Sequence, residues 1–336
     1  MPQTPMLTIG MPVYNGERFL PKALDSLLGQ TFSDFQILLS DNASTDGTQE
    51  IGNEYAARDR RIVYSRNERN MGAGWNYLHV YQLATGKYYK QAAHDDFCEP
   101  TFLETCIRVL EQDEETVVAH TKTRIVDPDG TLIENYECPL RADDADPVVR
   151  FSDLVLINHR CFPIFGVHRR SALDRLPPMG SFPHADGVLL AQLGLIGRFY
   201  ESPERLFINT KHAGQSSYTV SSRSISRKFR LTGKVGRLPS MEWWSPNRKR
   251  EITFPECHIL DEYRRSIARS SLTPTQKARA YGVLIHWAAR YHRKLLGDVV
   301  LAADQVIWNW QSSRSVPVSK SSENQLVTHS KGANSL

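Results

Sequence analysis

Apolar side chains occupy every second position near the start of the chain, at Leu7, Ile9, Met11 and Val13. This period of two predicts a β-strand, and the polar run that follows predicts the turn that ends it. The apolar spacing then becomes helical from 18 to 30. The same succession of strand and helix repeats three times. The later strands are predicted at 35–40, at 62–65 and from 88 to the acidic pair at 95–96, and their helices at 48–58, 73–84 and 101–112.

Four strands separated by helices and short links predict an α/β fold with a mostly parallel sheet covered by helices on both faces. Right-handed crossovers bring the ends of the first, second and fourth strands to one edge. The polar groups at those ends are residues 14–17, Asp41-Asn42 and Asp95-Asp96. Open α/β sheets bind ligands outside the carboxyl ends of their strands, so we expect these residues to share one crevice.

The pattern is less regular from 117 to about 211. Strands are predicted at 117–120 and 162–167, and a short helix at 171–176. His184-Ala185-Asp186 then precedes an apolar helix. Asp186 is therefore expected at or just before a helix N-terminus, where unpaired backbone amides favour a carboxylate.

The character of the chain changes after residue 218. Helices are predicted at 256–269 and 274–296, and a further apolar segment follows at 299–310. The Ser-rich end has no periodicity and is predicted to be disordered. We therefore expect three parts: the sheet domain 1–218, a smaller, basic and mainly helical region 219–311, and a disordered tail 312–336.

The segment 223–250 contains nine Lys and Arg residues and a single acidic residue, Glu242. A solvated face is one interpretation of this basic segment. A peripheral contact with an anionic membrane surface is another, because Phe229, Trp243 and Trp244 are interspersed with the charges. A nucleic-acid partner is not expected, since no recognition motif accompanies the charges.

Composition is that of a globular protein, with 336 residues, 40% of them hydrophobic and 23% charged, and a net charge of +4. The five cysteines form no C-x-x-C pair, so the sequence suggests neither a zinc site nor a disulfide framework and favours a reducing compartment. The start of the chain lacks the pattern of a signal peptide, and no apolar run is long enough to cross a membrane. A cytoplasmic protein is expected.

Four motifs follow one another in the first quarter of the chain: PVYNGE at 12–17, SDNASTDGT at 40–48, N-M-G with Asn76 at 70–76, and ATGKY at 84–88. In this order and spacing they resemble the family 2 glycosyltransferases, which have the nucleotide-sugar-binding fold called GT-A. The resemblance extends to about residue 113 and, more thinly, to about 214.

The resemblance implies a nucleotide-sugar site at the strand ends. Tyr14 would stack on a uracil-like base, Asp41 would accept the imide N–H, and Asn70 with Gly72 would open a helix whose free amides suit phosphate. His94 is part of the implied nucleotide-binding set, although its spacing alone does not indicate a site. The implied nucleotide-binding set is Pro12, Tyr14, Asn15, Glu17, Asp41, Asn42, Asn70, Gly72, Asn76, His94 and Asp95.

Mn²⁺ or Mg²⁺ is the implied cofactor, with Asp95, Asp96 and His212 as its ligands. Two positions depart from the family pattern. Ala93 stands where the first acid of the usual D-x-D motif is expected, and Asn42 stands where a second Asp is common.

Asp186 resembles the family's acid at the start of a later helix and is proposed as the general base of an inverting displacement. The implied reaction moves a single sugar from a nucleoside diphosphate, UDP being the commonest family choice, to a saccharide or lipid-linked acceptor. Processive members carry a Q-x-x-R-W motif, which is not found here. Asp186 as a plain helix cap and His212 as a structural residue remain alternatives.

Two other functions share part of this sequence pattern. A sugar-phosphate nucleotidyltransferase shares the sheet but needs a Gly-rich, basic first loop, which residues 14–17 do not supply. A catalytically silent nucleotide-sugar-binding module, acting through the basic C-terminal region, is kept open by the missing acid at Ala93.

Overall fold

A nine-stranded mixed sheet forms the centre of the molecule, in a computed structural model that describes residues 4–215, 241–245 and 251–314. The strands are β1 (Leu7–Val13), β2 (Phe35–Asp41), β3 (Ile62–Arg66), β4 (Tyr88–Gln91), β5 (Phe97–Cys98), β6 (Thr116–Val126), β7 (Leu132–Tyr136), β8 (Val167–Arg169) and β9 (Arg198–Thr210). Their order across the sheet is β3-β2-β1-β4-β8-β6-β9-β5, and β7 pairs with β6 outside this path.

Helices cover the sheet and extend beyond it. They are α1 (Leu20–Leu28), α2 (Thr48–Arg58), α3 (Ala73–Gln82), α4 (Phe102–Gln112), α5 (Pro147–Leu156), α6 (Arg170–Leu173), α7 (Ala185–Ile196), α8 (Met241–Trp244), α9 (Pro255–Arg269) and α10 (Pro274–Arg314). Among the described residues, no helix has both the length and the apolar character that crossing a membrane requires.

The first four strands are parallel, as the repeated strand–helix pattern predicts. Every residue of β1 is buried, which is typical of a strand with both faces covered. Val13 is in register with Asp41, and Ala92 N donates to Gly10 O just beyond the end of β4. The ends of these strands therefore lie at one edge of the sheet.

The second half of the sheet is mixed, and one predicted strand is wrong. The segment predicted as a strand at 162–167 forms a 3₁₀ turn at Phe162–Phe165, and only then does β8 begin. Pro163 favours the turn because its fixed φ and missing N–H do not suit a sheet interior. The helix predicted at 171–176 is the single turn α6.

The C-terminal helices pack on the sheet domain. Ile259 and Tyr263 of α9 and Trp287 of α10 belong to the same buried core as Phe151 of α5 and Leu190 of α7. The predicted region 219–311 thus shares a hydrophobic core with the first part of the chain through α9 and the first half of α10.

The long helix α10 replaces two predicted elements. It runs past the predicted break near 297 and includes residues 312–314, where the tail was expected to begin. Non-helical angles at Tyr291 (φ −106°, ψ 17°) mark a kink within it. The rest of the predicted tail, from 315 on, lies outside the described residues.

Candidate functional site

The loop after β1 and the loop after β2 are joined into one unit. Asn15 N donates to Ser44 Oγ at 2.9 Å, and Asn15 Oδ1 accepts from Thr45 N at 2.8 Å. Gly16 N donates to Thr48 Oγ1 at 2.8 Å. Asn15 adopts a left-handed conformation with φ 53°, which Asn tolerates better than most residues. The side chain of Asn15 therefore fixes the shape of the rim.

Glu17 extends this connection to the start of α2. Its Oε2 accepts from Gly47 N at 3.0 Å, where a carboxylate is favoured by the free amides of a helix N-terminus. Pro12 is buried within β1, whereas Tyr14 is 44% exposed. Tyr14 is thus the residue of this loop with an exposed aromatic ring, and its predicted contact with a base stays a prediction.

Asp41 is fully buried at the end of β2, and both of its oxygens accept hydrogen bonds. Oδ1 accepts from the backbone N and the hydroxyl of Ser44, at 2.8 and 2.6 Å. Oδ2 accepts from Tyr64 Oη at 3.0 Å and forms an ion pair with Arg66 at 2.6 Å. Burial and the bond to Asp41 raise the pKa of Tyr64.

Tyr64 and Arg66 were missed in the sequence. The available signal was the parallel pairing of β2 with β3, which sets Asp41 opposite Arg66. The predicted contact of Asp41 with a base stays a prediction, and in this structure the carboxylate is already fully engaged.

Asn42 braces the loop that leads to α3. Its Nδ2 donates to Asn70 Oδ1 at 2.9 Å, and its Oδ1 accepts from Met71 N at 2.9 Å and from Asn67 Nδ2 at 3.0 Å. Asn70 Oδ1 also accepts from Gly72 N at 2.8 Å. An aspartate at 42 could not donate to Asn70, which gives a physical reason for the amide at this position.

Asn76 lies on the buried side of α3. Its Oδ1 accepts from Ser40 Oγ at 2.6 Å, and its Nδ2 donates to Ser40 O at 2.9 Å. With the side chain buried and both ends of the amide engaged, Asn76 holds α3 against β2 instead of facing the crevice.

Asp95 and His212 meet at the end of β9. The Asp95 Oδ2–His212 Nε2 distance is 2.9 Å, and the imidazole packs on Phe19 with 4.5 Å between ring centroids. Burial tends to raise the pKa of Asp95, but the bond from His212 and the neighbouring His94 hold it below its usual value. The Asp95 carboxylate is the kind of oxygen donor that Mn²⁺ and Mg²⁺ prefer.

His212 needs a rearrangement before it can bind a metal. Gly214 N donates to His212 Nδ1 at 3.2 Å, so the ring proton is on Nε2, facing Asp95. A cation on Nε2 requires the proton on Nδ1, and Gly214 must then move away. Asp95 could therefore bind a divalent cation without rearrangement, whereas His212 could bind it only after its ring proton has moved to Nδ1.

Asp96 is buried next to this pair. Its Oδ1 accepts from Asn209 Nδ2 and Thr210 N, both at 2.9 Å, so it anchors the end of β9 that leads to His212. Burial and the adjacent charge of Asp95 raise its pKa well above the usual value. Asp96 therefore has a positioning role through Oδ1, and its predicted role as a metal ligand stays a prediction.

His94 supports the first loop from below. A Cβ on Gly16 would lie 2.9 Å from His94 Cδ2, so only glycine fits above the ring. Burial lowers the pKa of His94, which keeps the imidazole neutral near pH 7.

Asp186 lies in the first turn of α7, and its side chain is 41% exposed. Tyr77 of α3 connects it to the acids at the end of β4. Burial raises the pKa of Tyr77 first, and the charges of Asp95, Asp186 and Asp96 raise it further. The phenol of Tyr77 is therefore close enough to all three carboxylates for their charges to affect it.

Three residues near the Asp186 carboxylate were not predicted with it. His184 Nδ1 lies 3.9 Å from Asp186 Oδ1, and the Cys161 Sγ lies within 4.8 Å of the ligand atoms of both residues. Tyr263 Oη lies 3.3 Å from His184 Nε2. His184 was visible beside Asp186, but Cys161 and Tyr263 are far away in sequence and carried no signal.

Two cavities adjoin this region. The more polar one, of about 290 Å³, has Cys161 among its lining residues. The other, of about 240 Å³, is mainly apolar and has Tyr77 among its lining residues. Residues that characterise the polar cavity are His120, Tyr136, Asp143, His159, Tyr200 and Glu201. Residues that characterise the apolar cavity are Tyr81, Tyr89, Leu176, Met179 and Leu189.

The chain is similar to known proteins in both sequence and structure. Residues 8–174 match the sequence model of the family described as Glycosyl transferase family 2. Chondroitin synthase from Escherichia coli is 31% identical over 139 residues, which are 41% of this chain and 20% of that protein. The putative glycosyltransferase EpsE from Bacillus subtilis is 33% identical over 129 residues, 38% of this chain and 46% of that protein. The matched segment is thus less than half of either relative.

A solved structure shares the fold. S. aureus TarS superposes with a TM-score of 0.51 at 14% sequence identity, covering 88% of this chain and 54% of that chain. The likeness confirms the predicted GT-A architecture.

Proposed function

The chain belongs to glycosyl transferase family 2, and from that premise we propose that it transfers a single sugar, with inversion, from a nucleoside diphosphate to a saccharide or lipid-linked acceptor. The observation that carries the proposal is the Asp95–His212 pair beside the strand-end loops, with 2.9 Å between Asp95 Oδ2 and His212 Nε2. A UDP-sugar is the proposed donor, with Mn²⁺ or Mg²⁺ as cofactor.

The donor is proposed to lie along the joined strand-end loops. Tyr14 offers its exposed ring to the base, and the first turn of α3, opened by Gly72, offers backbone amides to phosphate. When bound at Asp95 and His212, a divalent cation offsets the charge that develops on the leaving diphosphate.

Asp186 is proposed as the general base. It takes the proton of the acceptor hydroxyl while that oxygen bonds to the anomeric carbon, and the bond from this carbon to the diphosphate oxygen breaks. Attack opposite the leaving group inverts the anomeric centre. The exposed Asp186 carboxylate, held by Gly187 N at 2.8 Å, is accessible to such a hydroxyl.

The two cavities support different acceptors. The polar cavity beside Cys161 offers hydrogen-bonding groups and the rings of Tyr136 and Tyr200 to a saccharide. The apolar cavity beside Tyr77 suits the non-polar portion of a lipid-linked acceptor. Substituting Tyr200→Ala in one and Leu189→Gln in the other, and comparing KM for the two acceptor classes, distinguishes them.

Peripheral membrane contact through the basic segment is a separate part of the proposal. Most of the basic segment 223–250 lies outside the described residues. Within the described part, Trp244 is only 7% exposed, so it is buried and does not offer its ring to a membrane surface. Cosedimentation with anionic vesicles tests the contact, and no binding at low salt would rule it out.

The decisive experiment measures transfer and hydrolysis from UDP-, GDP- and dTDP-sugars with Mn²⁺ or Mg²⁺. We expect Asp186→Asn to lose at least about 100-fold in kcat while it still binds nucleotide, because a general base contributes a factor of this order. Asp95→Ala is expected to lose activity together with metal-dependent nucleotide binding.

The silent-module alternative predicts a different result. Nucleotide would bind to the wild-type chain, but no donor and acceptor combination would turn over. Full transfer by Asp186→Asn would instead show that another group is the base.

A further inference from the structure

Three potential metal ligands converge beside the proposed base. The Cys161 Sγ, a ring nitrogen of His184 and a carboxylate oxygen of Asp186 all lie within 4.8 Å of one another. In a tetrahedral zinc site, bonds of about 2.0–2.3 Å separate neighbouring ligand atoms by roughly 3.3–3.8 Å. The 3.9 Å between His184 Nδ1 and Asp186 Oδ1 is close to that separation.

The imidazole of His184 already has an outer partner. Tyr263 is 1% exposed, and its phenol lies 3.3 Å from His184 Nε2. A proton on Nε2 that is donated to this phenol leaves the Nδ1 lone pair facing Asp186. Metal-binding histidines are typically oriented in this way by a second hydrogen bond from the other ring nitrogen.

The backbone at two of these residues is in a conformation uncommon for side-chain-bearing residues. Cys161 has φ 55° and His184 has φ 69°, both left-handed. Gly187 makes room for the imidazole, since a Cβ there would lie 2.3 Å from its ring. The surrounding chain thus holds the thiol and the imidazole towards the same carboxylate.

We propose that Cys161, His184 and Asp186 form a zinc site, separate from the Asp95–His212 pair, and that Zn²⁺ bound there removes Asp186 from catalysis. Thiolate and imidazole ligands select Zn²⁺ over Mg²⁺ or Mn²⁺, which prefer oxygen. On binding, the Cys161 thiol releases its proton to solvent, its sulfur bonds to the metal, and bound waters leave. The inhibitory half of the proposal rests on the proposed function, whereas the metal site does not.

Co²⁺ titration of the full chain tests the site without any activity measurement. A thiolate–cobalt bond gives an intense near-ultraviolet absorption, which we expect in the wild type at one equivalent and expect to lose in Cys161→Ser and His184→Asn. Tyr263→Phe should weaken Co²⁺ binding by about 10-fold, as loss of an outer partner does. Zn²⁺ should displace the cobalt and remove the band.

Cys257→Ser is the matched control, because Cys257 is an exposed cysteine on α9. It should keep the band, as should Asp95→Ala. Circular dichroism confirms that each variant is folded. Absence of the band in the wild type, or its persistence in both folded Cys161→Ser and folded His184→Asn, would overturn the site.

The inhibition is measured separately, with Mn²⁺ saturating. We expect micromolar Zn²⁺, about as much as fills the cobalt-competent site, to stop transfer by the wild type. The activity remaining in Cys161→Ser should resist that concentration. A cobalt band without zinc inhibition would leave the metal site in place and contradict the role of Asp186 as base.

Discussion

Asn42 uses both ends of its amide at the edge of the crevice. It donates to Asn70 and accepts from Met71 N, so a single side chain joins the end of β2 to the start of α3. The residue is 3% exposed, and an unpaired polar atom there is costly. Having asparagine where the family usually has aspartate therefore adds one hydrogen-bond donor, Nδ2, which binds Asn70.

Asn42→Asp is expected to destabilise the protein by about 1–3 kcal/mol at pH 7. The new carboxylate oxygen would face Asn70 Oδ1, which also accepts from Gly72 N and cannot turn without losing that bond. Urea unfolding measures the loss.

The same variant should show a pH dependence of known sign. Burial raises the folded-state pKa of the new Asp above its unfolded value near 3.9, because the charged form is disfavoured. The destabilisation is therefore full above the folded pKa and diminishes as pH falls towards the unfolded one. Asn53→Asp, on the exposed face of α2, is the control. Equal destabilisation of Asn42→Asp at pH 4.5 and pH 7 would contradict this account.

At the scale of elements, α3 depends on the glycine that precedes it. Gly72 has φ 89° and ψ 156°, a region essentially reserved for glycine. This conformation turns the chain from the braced loop into the helix, so that Gly72 N reaches Asn70 and the first turn of α3 opens at the crevice. The helix start that the proposal assigns to phosphate therefore rests on one backbone conformation.

Gly72→Ala is expected to cost about 1–3 kcal/mol of folding free energy and to weaken nucleotide binding, because a Cβ is strained at this φ. Gly282→Ala in α10 is the matched control. No atom lies near its Cβ position, and the helical conformation suits alanine, so it should stabilise by about 0.4–1 kcal/mol. Unfolding and nucleotide titration are measured for both, and equal effects would disprove the conformational explanation.

The elements differ in how far the sequence predicts them. Much of the parallel half follows directly from local periods, since β1 and β2 are mainly apolar and α1 and α4 each have one apolar face. The register of Val13 with Asp41 then brings the strand ends together. The second half depends on distant pairings. β9 pairs with β6 across about 80 residues of sequence, and its segment 198–210 lacks a clear period of two. Local patterns carry no information about such partners.

The candidate site divides in the same way. Motifs at the strand ends placed Asp95 near the crevice, and His212 meets it in the structure. Cys161 and Tyr263 became neighbours of Asp186 only through tertiary packing. The spacing of the cysteines along the chain suggests no zinc site, whereas the ligands proposed here come from two separate segments, at Cys161 and at His184–Asp186.

At the scale of the whole molecule, the C-terminal helix α9 packs against one side of α7. Helix α7 is apolar on nearly all sides, which is typical of a helix with no free face. Gln192 Nε2 of α7 donates to Ser266 Oγ of α9 at 3.1 Å, and Tyr263 touches the Asp186 cluster through His184. The position of the proposed base is therefore coupled to packing contributed by residues 251–314.

Trp287 tests this coupling, because it is 4% exposed and packs edge-on against Tyr263 with 6.2 Å between ring centroids. Trp287→Ala should cost about 3–5 kcal/mol of folding free energy, as expected for the loss of a large buried side chain. If α9 positions Asp186 through Tyr263 and His184, kcat should fall at a temperature where the variant is still folded, while nucleotide affinity at the opposite side of the crevice stays close to that of the wild type. Ile285→Ala on the same helix, at a side chain that is 73% exposed, should change neither. Loss of stability with unchanged kcat would show that the C-terminal helices support the fold without positioning the base.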